Sequence, residues 1–125
     1  MRALGYYPLA PPVLDQDEVV ASRVSFLVAN RQAAIEWFRT DGIELGQWFD
    51  GPLSPLPQGL TPFNYDVSHY PSAVFVARHV VNLPSHSRLS LADLAHIIRT
   101  LSRYAAAHPE DSEISERIAT PGVLL

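Results

Sequence analysis

Neither cysteine nor lysine occurs among the 125 residues of this chain. The missing cysteine excludes disulfides, thiolate zinc ligands and thiol nucleophiles. The missing lysine excludes more. All nine basic residues are arginine: Arg2, Arg23, Arg31, Arg39, Arg78, Arg88, Arg99, Arg103 and Arg117. No side chain carries a primary amine, so the Schiff base that anchors pyridoxal phosphate cannot form on this chain's side chains. No apolar run approaches the roughly 18 residues that span a bilayer. The opening MRALGYYPLAPP has no apolar run ending in a small-residue cleavage site. No export signal is read, and a cytoplasmic location is expected.

Cationic excess is missing too. A net charge of −4 offers neither counterion release nor surface attraction, so no nucleic acid and no membrane is expected as a partner. Ser54, Ser68, Ser85 and Ser87 lack a Gly-x-Ser-x-Gly setting, which leaves a serine hydrolase without its strained turn. His69, His79, His86, His96 and His108 contain no i, i+4 pair and no His-x-His, and no cysteine could complete a ligand set. They read as surface or turn histidines. The expectation is no catalytic residue, no metal and no cofactor held by this chain alone.

What is present fits one folded domain. Apolar residues make up 47% of the chain and charged residues 18%, within the range of ordinary globular proteins. Residues 1–20, with Pro8, Pro11 and Pro12 before an acidic DQDE, read as an extended arm. In 22–28, Val24, Phe26 and Val28 fall on one face and Arg23 and Ser25 on the other, a half-buried strand's alternation spoiled only by Leu27. Asn30 is placed to cap a helix over 31–41 that buries Ala34, Ile35 and Phe38, with Gly42 as its left-handed end. A short strand is expected over 43–49. The stretch 50–66 has four prolines and two glycines and reads as a long, semi-rigid loop.

The next helix opens at Pro71 and is expected to run until Pro84 stops it, burying Ala73, Val74, Ala77, Val80 and Val81. Ser90 and Asp93 form a capping-box pattern ahead of a third helix, with Leu91, Leu94, Ala95, Ile98, Leu101 and Ala105 as its apolar stripe. Residues 107–125 are acidic and weakly patterned, with one helical turn expected near Ile114 and Ile118. No internal repeat interrupts this order. The reading is an α+β domain over 21–106: a small antiparallel or mixed sheet of two to four strands, with three helices packed on one face.

Three stretches point further. RQAAIEWFRTDGIELG follows the first strand, WFDGPLSPLP follows shortly after, and YPSAVFVARHVVNLPSHSRLSLADLAHIIRTL closes the set. In order they resemble the helix and Gly-Ile strand, the aromatic-Pro-Leu-His loop, and the Cys-Pro-x-Ala-Glu helix, Leu-Pro turn and last helix of the C-terminal small domain of DegT/DnrJ/StrS sugar aminotransferases. These are fold-type I enzymes dependent on pyridoxal phosphate. The likeness covers about residues 20 to 105. In that family a large domain supplies the Schiff-base lysine, the acidic partner of the pyridine nitrogen and the phosphate cradle, and nothing in this chain matches it.

The resemblance implies substrate-facing roles for Gln47, Trp48, Phe49, Ser54 and His86, the last in a turn similar to the family's Leu-Pro-x-His. Ser54 stands where the family commonly has His, and serine cannot take over a histidine's proton handling at neutral pH. Tyr70 and Val74 replace the family's Cys and Glu. Trp48 and Phe49 read as pocket lining, as core, or, preferred here, as a patch covered by a partner domain.

The implied function is that of a non-catalytic cap acting through a large-domain partner or as a homodimer. Pyridoxal phosphate would enter only with that partner. Two alternatives stand beside it: a small sugar- or nucleotide-sugar-binding module using the 47–63 loop, and a truncated remnant of a full-length aminotransferase.

Overall fold

Asn30 starts the first helix as its side chain implies. Its Oδ1 accepts the Ala33 N–H at 3.0 Å, and α1 follows over Arg31–Thr40. The helix ends through the Gly42 N–H donating to Arg39 O at 3.0 Å and the Ile43 N–H to Phe38 O at 3.0 Å. Gly42 holds φ 72 there, a conformation that a Cβ would strain. The computed structural model describes residues 23–47, 51, 66–111 and 113–114. The expected arm, most of the 50–66 loop and the end of the tail lie outside the described residues.

Among the described residues, β1 (Val24–Leu27) and α1 are followed by a 3-10 turn (Val67–His69), α2 (Pro71–His79), β2 (Val80–Leu83) and α3 (Leu91–Ala107). Helical backbone returns at Glu110–Asp111 and Glu113–Ile114. The two strands pair antiparallel, Val24 opposite Leu83 and Leu27 opposite Val80. This is an α+β domain with a two-stranded antiparallel sheet and three named helices.

Two expectations are corrected in the middle of the chain. Pro71 does open α2, but the helix ends at His79 rather than running to Pro84, and Val80–Leu83 is a strand. The β-branched pair Val80–Val81 packs well on a pleated surface, and β1 supplies the ladder it needs. Val80 and Val81 are buried as expected, but as strand residues, while Ala73 is exposed. The strand expected over 43–49 is reduced, within its described part, to one bridge at Gly46, which exchanges backbone bonds with Asn82 at 2.9 and 3.1 Å.

The core joins these elements. Phe26 and Val28 from the first strand region, Val81 and Leu83 from β2, Ala34 and Phe38 from α1, and Ile97, Leu101 and Tyr104 from α3 close around Ile43 and Leu45. The capping box of α3 forms as expected, with Ser90 Oγ accepting from the Asp93 N–H at 3.1 Å and the Asp93 carboxylate accepting from the Ser90 N–H at 2.8 Å. The buried stripe is rotated from the expected one. Ile97, Thr100, Leu101 and Tyr104 face inward, while Leu91, Leu94 and Ile98 are exposed. The rotation is about 100°, one residue's turn. It follows from two polar groups that find partners inside: Thr100 Oγ1 donates to Asp41 Oδ2 at 2.5 Å, and the Tyr104 hydroxyl to Asp111 Oδ2 at 2.7 Å.

Candidate functional site

A groove of about 830 Å³ opens between the segment after α1, the end of β2 and the start of α3. Its apolar floor includes Leu45, Leu83, Leu89 and Ile97, and its rim carries Glu44, Gln47 and His86. Of the five residues expected to face a substrate, Gln47 and His86 are brought together on this rim. Trp48, Phe49 and Ser54 lie outside the described residues.

Gln47 owes its place to Asn82. This asparagine is 2% exposed in the middle of an otherwise apolar strand. Its Oδ1 accepts from Ser25 Oγ at 2.5 Å, and its Nδ2 donates to Gly46 O at 3.4 Å. Side chain and backbone of one residue therefore hold the segment that leads into Gln47. Asn82→Ala should cost about 1–3 kcal/mol, because it leaves Ser25 and Gly46 with fewer buried partners. Urea unfolding would measure the loss, and a change within a few tenths of a kcal/mol would show the network to be idle.

His86 sits in the turn closed by the Leu89 N–H donating to His86 O at 3.2 Å. Its ring is exposed. Across the groove, Asp93 is committed to the start of α3. The Ser90 hydroxyl, at 2.7 Å, and the Ser90 N–H hold its carboxyl below the usual carboxylate range. His96 is committed as well, its Nε2 lying 2.8 Å from Asp41 O. By contrast, the side chains of Glu44, Gln47 and His86 make no hydrogen bond or ion pair to another described residue, so they present a carboxylate, an amide and an imidazole to a ligand.

Ser85 lines the groove beside His86, but it stands outside the strained Gly-x-Ser-x-Gly turn of a serine nucleophile. Among the described residues no group of three or more His, Asp or Glu could hold a metal ion. The five histidines divide unevenly. His69 and His86 are exposed in turns, whereas His79, His96 and His108 are half-buried. His79 Nδ1 lies 2.8 Å from Val28 O, and its ring stacks on Phe75 at 4.2 Å.

Sequence reasoning missed the residues that rivet the groove's walls together. Asp41 takes contacts from His96, Thr100 and Arg103 and so ties the end of α1 to α3. Asn82 had a signal that went unused: a polar residue inside VVNL, a run otherwise fit for full burial. No helix of the described residues is long and apolar enough to cross a membrane. Comparison of the chain with protein-family models, with curated proteins and with solved structures returns no match.

Proposed function

We propose that this chain is a non-catalytic small domain, similar to the cap of the DegT/DnrJ/StrS sugar aminotransferases, that works by association with a large domain or with itself. One observation carries the reading. Gln47, between the first two resembling stretches, and His86, in the third, meet on one open groove, where both side chains are exposed. A cap contributes in this way: it offers polar contacts along one side of a site and leaves the chemistry to the body it closes. Pyridoxal phosphate would belong to that body, because no side chain here can bind it as an imine.

The groove also favours a second reading. A volume of about 830 Å³ with an apolar floor falls within the size range of small-molecule sites. On that reading the chain alone binds a sugar or nucleotide sugar. Titrating UDP-glucose into the purified chain by calorimetry separates the two. The cap reading expects no saturation below millimolar concentration, since half a site cannot offset the cost of immobilising a flexible ligand. Saturable binding that falls at least tenfold in both Gln47→Ala and His86→Ala would replace it with the second.

A further inference from the structure

The outward face of α3 carries no charge along its length. At about 100° per residue, Leu91, Leu94, Ala95, Ile98, Ser102 and Ala106 fall on one side of the helix, opposite the buried Thr100 and Tyr104. Leu91 is 85% exposed, Ile98 58% and Leu94 40%. A surface helix ordinarily turns polar residues outward and keeps one apolar stripe for its core. This helix is apolar on both sides, and its basic residues Arg99 and Arg103 share one flank between them. Arg103 contacts Asp41, whereas Arg99 is exposed with no ion pair to a described acid.

We infer that this face docks an amphipathic helix of a partner chain that carries acidic residues along one flank of its apolar stripe. The inference rests on the reading of the chain as a domain that works by association, but the Gln47–His86 groove takes no part in it. Leu91, Leu94 and Ile98 form a large ridge along the first half of the face, and the small Ala95, Ser102 and Ala106 lie together on the side toward Arg99. This relief lets a second helix approach to the ordinary 8–10 Å and seat its own large side chains over the small residues. Arg99 borders that seam beside Ala95 and Ser102, where a partner's Glu or Asp would meet it. The apolar anchors supply affinity and the flank supplies orientation.

A second copy of this chain fits less well. A two-fold axis through Ile98 places the two Arg99 side chains on the same flank, a like-charge contact with no acid on the face to separate them.

The test uses the full chain and two synthetic 18-residue helices with the same leucine stripe, one flanked by Glu and one by Lys, read by fluorescence anisotropy. The Glu-flanked peptide should bind with micromolar affinity and the Lys-flanked one at least tenfold more weakly. Ile98→Glu and Leu94→Glu should each weaken the Glu-flanked peptide at least tenfold while circular dichroism and melting stay as in the parent. Arg99→Glu should reverse the preference between the peptides. Equal binding of both peptides, or no binding, overturns the proposal. So does a concentration-dependent dimer in sedimentation that Ile98→Glu dissolves, which would assign the face to a second copy. Retention on phosphatidylserine vesicles in preference to the Glu-flanked peptide would assign it to a lipid surface and overturn it equally.

Discussion

Tyr104→Ala is expected to destabilise the fold by about 3–5 kcal/mol, the range for deleting a large buried aromatic. Tyr104 is 1% exposed and joins every part of the core that α3 reaches. Its ring lies 5.3 Å from Phe38 and 5.9 Å, edge-on, from Trp37 in α1, and it stacks on His108 at 4.2 Å. Removing it opens a cavity between two helices and strips three aromatic contacts at once. A domain of this size has only about 5–15 kcal/mol of stability in total, so the variant should melt far below the parent or fail to accumulate. Tyr104→Phe isolates the hydroxyl. It keeps the ring and removes the hydroxyl with its 2.7 Å donation to Asp111, so it should cost about 1–2 kcal/mol. Thermal and urea unfolding of the pair measure both numbers. Equal losses in the two variants would show that the ring packing contributes little.

That residue marks the boundary of what the sequence made legible. The helix starts were readable because capping chemistry is local: Asn30, Pro71 and Ser90 each satisfy or avoid orphan backbone donors within one turn. Gly42 was readable for the same reason. The end of α2 was not, because Pro84 is a real breaker and nothing nearer announces the switch at Val80. The switch depends on β1, more than 50 positions away along the chain. The inward side of α3 was misread for a related cause. Counting apolar residues favoured the Leu91–Leu94–Ile98 stripe, while burial followed Thr100 and Tyr104, whose hydroxyls donate to Asp41 and Asp111.

The candidate site divides along the same line. Gln47 and His86 were singled out through a resemblance, and the structure brings both to one groove. What holds that groove was invisible, because Asn82, Asp41 and His96 act through contacts 36 to 59 residues distant. Local chemistry thus locates the starts of helices. Long-range polar pairing decides which faces are buried, and it leaves Leu91, Leu94 and Ile98 exposed on the other side of α3.

Asp111 is expected to give the second large effect, and with it a pH signature of unusual sign. The carboxyl is 1% exposed. Its Oδ1 accepts the Ala29 N–H at 2.7 Å and its Oδ2 the Tyr104 hydroxyl at 2.7 Å, so it fastens the turn after α3 to the end of the first strand region. Asp111→Ala leaves a donor on each side without this acceptor and should cost about 2–3 kcal/mol. Asp111→Asn keeps an acceptor for Ala29 and offers an N–H to the Tyr104 oxygen, so most of that loss should be recovered.

Burial pushes the Asp111 carboxyl above its ordinary range, while the Ala29 and Tyr104 bonds pull it down, Glu110 pushes it up and His108 draws it down. With burial dominant, the folded chain takes up this proton at a higher pH than the unfolded chain, whose carboxyl titrates near its ordinary value of 3.8. Between those two values the native state binds more protons, so this group's contribution to stability falls as pH rises through the window and is flat above it. An aspartate stabilised mainly by hydrogen bonds would give the opposite slope. Measured against Asp111→Asn by urea unfolding at successive pH values, the parent should therefore gain relative stability as the pH drops through the carboxylate range. A relative loss on acidification would mean that the two hydrogen bonds outweigh the cost of burial. Because Tyr104 and Asp111 touch, their effects should not add. A double-mutant cycle with Tyr104→Phe and Asp111→Asn should return a coupling of about 0.5–3 kcal/mol, and an additive result would place the two groups in separate environments.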